Sequence, residues 1–205
     1  MRKFNCLFAC VGFLLACYCT VVQADDLAPA PYRGAPNTVM AKFDLFGGQV
    51  PGGPSQFATG ANPTYPLDAL QPMVGPAQSS TNGILYPIAL PNYIDQEPLK
   101  LIRIQYSWFG LPSQGADAFA QAILPSPGGA VQLVNSTPPT NISGNIYHRW
   151  DDYRIIPNPD SERFEVVFVN ADPRWVIFDT ISVPEPTSLA LLGFAGLLVG
   201  CGRRR

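Results

Sequence analysis

The densest concentration of chemically capable side chains is the run YHRWDDYR, Tyr147 to Arg154. A sugar-binding face needs flat rings to lie against the apolar side of a pyranose, and charged or amide groups to bond its hydroxyls. Tyr147, Arg149, Trp150, Asp151 and Asp152 supply both kinds of group in one short run, which makes them candidate ligand-binding residues. The plainer alternative packs Tyr147 and Trp150 inside a β-fold and leaves the charges facing water, since aromatic residues are ordinary strand material. Asp151 and Asp152, joined by Asp160, also offer the hard oxygen ligands that calcium takes, although EF-hand spacing is missing. No motif demands a metal or any other cofactor.

Catalytic chemistry has little to draw on. His148 is the one histidine, and no serine stands in a nucleophile-elbow sequence G-x-S-x-G, so a structural histidine is the default reading. Two carboxylates from Glu97, Asp117, Asp151, Asp152, Asp160 and Glu162 could serve glycoside hydrolysis, but only a fold can set the separation that this chemistry needs. Phosphate-binding loops and dinucleotide fingerprints are absent. The cysteines fall at Cys6, Cys10, Cys17, Cys19 and Cys201, with none between Asp25 and Val183. That spacing removes disulfides, thiolate-bound zinc and a thiol nucleophile from the whole middle of the chain. A net charge of −2 provides no basic face for nucleic acid. The expectation is a protein that is not an enzyme.

The elements that must position these residues read as strands. With 22 prolines and 18 glycines spread along 205 residues, long helices have few places to form, while 47% hydrophobic residues suffice for a core. In KLIRIQYSWF, Ile102, Ile104, Tyr106 and Trp108 alternate with Arg103, Gln105 and Ser107, the period of a half-buried strand. VMAKFDLF places Val39, Ala41, Phe43 and Leu45 on one side, and RFEVVFVN opposes Phe164, Val166 and Phe168 to Glu165. Arg174 to Val183 reads as a final strand, with NADPR before it as a hairpin loop. ILYPI, VQLV and NIYHRW are shorter strand candidates, and Trp108 and Trp175 fall within strand patterns as core residues. Gly115 to Leu124 fits a helix through its alanines and equally fits a strand. FGGQVPGGPSQFATGANPTYP and LVNSTPPTNISGN lack apolar period and read as long surface loops, the second carrying the sequons at Asn135 and Asn141. The expected fold is all-β, an antiparallel β-sandwich of jelly-roll type.

Both ends of the chain read as targeting segments. Arg2 and Lys3 precede an uncharged apolar stretch from Phe4 to Val22, and Val22 and Ala24 are small enough for signal peptidase to cut between Ala24 and Asp25. LLAC, Leu14 to Cys17, is a competing lipoprotein-type site. At the other end VPEP is followed by an uncharged run, Thr187 to Gly202, and by Arg203, Arg204 and Arg205. As a helix that run reaches about 24 Å, short of a hydrocarbon core of about 30 Å, so it spans only with thinning or snorkelling of its flanks. The arginines would stay cytoplasmic, leaving everything before Val183 outside, N-out and C-in. A buried core helix is the alternative. Pro184 and Pro186 hold the peptide before the run extended.

Those three parts in order resemble the PEP-CTERM sorting signal of exported bacterial proteins, also labelled the ice-binding protein C-terminal domain. The resemblance covers about the last tenth of the chain. It implies that Pro184, Glu185 and Pro186 are recognised by an exosortase, a multi-pass membrane enzyme, and that the helix and arginines are then removed. The chain divides accordingly into a signal peptide (1–24), an exported ectodomain (25–182) and a sorting signal (183–205), Asp179 to Val183 being either last strand or stalk. Signal peptidase, the secretion machinery, the inner membrane in passing and the exosortase are the implied partners. The destination is the cell surface or the extracellular matrix. For the ectodomain the expectation is a structural or interaction module associated with exopolysaccharide. The alternatives are a specific carbohydrate-binding module and a carboxylate-based glycoside hydrolase.

Overall fold

Alternation of apolar and polar residues decides which segments pair. The computed structural model describes residues 26–46, 52–61, 66–81, 83–93, 98–124, 129–159 and 162–183. The signal peptide with its Ala24–Asp25 junction, Glu97, Asp160, Pro184 to Pro186, the apolar run and Arg203 to Arg205 lie outside those residues. The strands are β1 (Thr38–Asp44), β2 (Gln56–Thr59), β3 (Met73–Val74), β4 (Gln78–Ser80), β5 (Gly83–Leu90), β6 (Leu99–Phe109), β7 (Asp117–Leu124), β8 (Ala130–Ser136), β9 (Thr140–Ser143), β10 (Ile146–Ile156), β11 (Glu162–Val169) and β12 (Asp172–Val183). No α-helix occurs among the described residues. One antiparallel sheet runs β2-β1-β12-β6-β10-β8, with β9 also on β10, and the other runs β3-β5-β11-β7, with β4 also on β5.

The two sheets share a single core. Ala41, Phe43, Ile102, Ile104, Tyr106, Trp108, Val176 and Phe178 from the larger sheet meet Tyr86, Ile88, Leu90, Phe164, Val166 and Phe168 from the smaller. Phe178 and Phe164 touch across the interface with ring centroids 4.6 Å apart. The three alternating patterns in the sequence therefore fall on the inner faces as expected.

Three expectations change and one open choice is decided. NADPR is not a hairpin loop, because β11 belongs to one sheet and β12 to the other. The chain turns a corner there, with Asn170 at φ 44°, and each strand keeps its apolar residues on the common core. The two proline-rich segments are not wholly loops, since β2 lies in the first and the end of β8 and all of β9 lie in the second. β8 and β9 are exposed along their length and β2 nearly so, which removes the apolar period that would have marked them as strands. Gly115 to Leu124, which fitted helix and strand equally, contains the strand β7 from Asp117 to Leu124, with Ala118 and Ala120 turned to the core. β6, read as half-buried, is buried on both faces at Gln105 and Ser107.

A strap from the N-terminal side covers that outer face. Gln105 receives the Ala28 N–H at 3.0 Å and donates to Asp26 at 3.0 Å. Asp179 of β12 receives the Ala30 N–H at 3.2 Å and pairs with Arg33, and the Tyr32 hydroxyl donates to the Asp179 carbonyl. Asp179 is 1% exposed and β12 continues to Val183, so Asp179 to Val183 is last strand rather than stalk.

Candidate functional site

The alternation of β10 divides the candidate residues between two faces. Tyr147, Arg149, Asp151, Tyr153 and Ile155 have one parity, and Tyr147, Tyr153 and Ile155 pack on the core. Trp150 and Asp152 have the other parity and stand on the outer face with His148. The five residues read as one sugar-binding face are therefore not a single surface.

The inward group makes a polar clasp at the sandwich edge. Tyr147 stacks on Trp108 at 6.3 Å. Arg149 donates to Asp117 of β7 at 3.1 Å and to Asp151 at 2.8 Å, so one guanidinium holds carboxylates from both sheets. Ser136 of β8 donates to Asp151 at 2.5 Å and accepts from Arg149 at 2.8 Å. Packing Tyr147 inward agrees with the plainer reading, whereas Asp151, at 1% exposure, does not face water.

On the outer face Arg103 of β6 covers Trp150, its guanidinium carbon 3.8 Å from the ring centre, and forks onto Asp152 at 2.8 and 2.9 Å. The ring that was to meet a sugar already carries a cation on its face. Asp151 and Asp152, the pair offered to calcium, point to opposite sides of the sheet. Among the described residues no group of three or more His, Cys, Asp or Glu side chains is placed to hold a metal. Of the candidate carboxylates, Asp117 and Asp151 share Arg149, Asp152 binds Arg103, and Glu162 meets Lys100 at 2.6 Å in full burial.

A second group lies further along the outer face and was not singled out from the sequence. Strand register sets His148, Ser107, Trp175 and Asp44 in one transverse row across β10, β6, β12 and β1. The His148 and Trp175 rings are 5.6 Å apart. Above the row is a cavity of about 430 Å³, floored by Ser107 and Trp175 and lined by Leu27, Phe46 and Ile142 together with the charged Asp44 and Arg174. Leu27, Phe46 and Ile142 are exposed apolar residues, and Arg174 lies over the Phe46 ring at 4.5 Å. Ser107 Oγ and His148 Nε2 are buried without a hydrogen-bond partner among the described residues. Burial lowers the His148 pKa from 6.5 to about 4, so the imidazole is neutral at ordinary pH. The Ser107 hydroxyl in the cavity floor can donate or accept a hydrogen bond, which suits a hydroxylated ligand. Trp175 is buried as expected, but on the outer face of its sheet rather than between the sheets. Only strand register brings these residues together, since Ser107, His148 and Trp175 are far apart in sequence and none sits in a motif.

Residues 182–205 match the family model of the PEP-CTERM protein-sorting motif. That motif implies an exported protein that an exosortase sorts and that its C-terminus anchors in the membrane transiently. No curated protein and no solved structure matches the chain.

Proposed function

We propose that the ectodomain is a non-catalytic interaction module of the cell surface or extracellular matrix that holds exopolysaccharide in the cavity over Ser107 and Trp175. The observation that carries this reading is the buried, unpartnered Ser107 Oγ in the floor of a largely apolar cavity of about 430 Å³, with His148 its neighbour in the strand register. Ligand sites are concave, mostly apolar and fitted with a few convergent polar groups, and about 300–1,000 Å³ is their usual size. A buried hydroxyl without a partner costs roughly 1–3 kcal/mol, which a ligand hydroxyl reaching it would restore. The orders β1-β12-β6-β10 and β5-β11-β7 support a jelly-roll-type sandwich, with β8 added to the first sheet rather than flanking β7.

Affinity electrophoresis of the mature protein through gels containing bacterial exopolysaccharide tests the site. The wild type is retarded, Ser107→Val and Phe46→Ala lose most of the retardation, and Trp150→Ala, whose ring Arg103 covers, keeps it. Equal mobility of all four proteins with and without polysaccharide would remove the proposal.

The alternative of a specific carbohydrate-binding module differs in selectivity alone. A glycan array that lights up for one linkage would favour it, and a response to many polymers would favour the matrix role.

A further inference from the structure

At the far end of the sandwich from that cavity, three side chains that could react with one another are sealed from water. Lys100 lies in β6 and Asn92 in the connection from β5, both 0% exposed, and Glu162 opens β11 at 1% exposure. Lys100 Nζ is 2.5 Å from Asn92 Oδ1 and 2.6 Å from Glu162 Oε1. Asn92 Nδ2 donates to the Pro159 carbonyl at 2.5 Å and to Asn158 Oδ1 at 3.1 Å, which fixes the amide plane with its oxygen toward the lysine. Neither Glu162 oxygen makes a hydrogen bond of normal geometry among the described residues, so its contact with Lys100 is one of charge and distance.

We propose that Lys100 and Asn92 become joined by an intramolecular amide bond, formed by the protein itself with Glu162 as proton carrier. The amide carbon is about 1.23 Å from Oδ1, so Nζ stands no more than about 3.7 Å from it, close to attack distance. A proton passes from Nζ to Glu162, and the freed amine attacks Asn92 Cγ. Glu162 protonates the carbonyl oxygen, takes the second Nζ proton and delivers it to Nδ2. The Cγ–Nδ2 bond breaks as the Cγ hydroxyl returns its proton to Glu162, the Nζ–Cγ bond remains, and ammonia leaves past the Pro159 and Asn158 oxygens that already bind Nδ2. One amine and one primary amide become one secondary amide and ammonia, with no oxidant, reductant or cofactor.

Three features favour this outcome over a permanent ion pair. Burial raises the Glu162 carboxyl above its ordinary range, against the opposing charge of Lys100, so it accepts a proton readily. A charge pair sealed from water is costly, and the cross-link replaces it with a neutral amide and an acid. Exclusion of water also directs Cγ to the amine rather than to hydrolysis. The link would tie the end of β5 in one sheet to β6 in the other, in a domain that holds no cysteine for a disulfide.

Intact mass of the denatured mature protein is the test. The expected mass is lighter than the sequence by one ammonia, and cleavage on the N-terminal side of Asp95, which lies between the two residues, leaves peptides containing Asn92 and Lys100 still joined. Trypsin then fails to cut after Lys100. Glu162→Gln, which keeps both reacting residues, returns the full sequence mass, and Asn92→Asp yields a product lighter by one water instead. Wild-type protein of full mass, cut by trypsin after Lys100, overturns the proposal whether or not any variant folds. So does a lost ammonia that maps to another residue.

Discussion

His148 is neutral because burial, with no paired charge acting on it, lowers its pKa from 6.5 to about 4. In the unfolded chain the same group protonates near 6.5, so the unfolded state binds the extra proton between those values. The contribution to stability is complete above pH 6.5 and is lost as pH falls toward 4. Urea unfolding at pH 7 and pH 4.5 is expected to show wild type losing on the order of 2 kcal/mol more than His148→Gln, with solvent screening allowed for. Equal losses would mean that the imidazole is not held neutral. What the sequence made legible at this scale was residue type without facing. YHRWDDYR announces sugar chemistry, yet a strand sends adjacent residues to opposite sides, and Arg103, distant in sequence, arrives on Trp150. Ser107 could not be chosen beforehand, because its importance comes from a missing partner and from neighbours that register alone supplies.

Elements were legible where burial is one-sided and obscure where it is not. β1, β6, β11 and β12 announce themselves through period two because one face of each meets the core. β2, β8 and β9 lie at the margins of the larger sheet with little to bury, so backbone pairing rather than side-chain pattern holds them. The strap over β6 and β12 was also invisible, since nothing in residues 26–33 shows that Arg33 will meet Asp179. That contact gives a prediction at this scale. Asp179 is buried and accepts from Arg33 and from the Ala30 N–H, so Asp179→Ala leaves Nε and Nη2 of Arg33 and a backbone donor unmatched, with Asp26 the partner that Arg33 keeps. A loss of about 3 kcal/mol is expected in denaturant titration. Faster tryptic cleavage after Arg33 in native buffer should accompany it. Destabilisation without new cleavage there would mean that the strap is held by other contacts.

No disulfide ties the ectodomain together, because none of its residues is a cysteine. Phe178 touches Phe43 in its own sheet and Phe164 in the other, so Phe178→Ala should cost about 4 kcal/mol, read from the urea midpoint. The sorting motif implies that the same molecule must also present its end to an exosortase. β12 is paired with β6 as far as Val183 opposite Leu99, and Pro184 follows at once, so the motif begins where the sheet ends. Proline has no N–H to continue the ladder, and it disfavours helix at the residue before it. The processing sequence therefore abuts a folded domain with no spacer to hold the two apart. If the exosortase must clear that domain, Gly-Ser residues inserted between Val183 and Pro184 will speed processing. Glu185→Ala should instead leave a membrane-associated precursor that keeps its C-terminal arginines. Intact mass of the protein in membrane and medium fractions distinguishes the forms. Slower release from the spaced variant would mean that the enzyme reads the end of β12 together with the motif, making the last strand part of the signal.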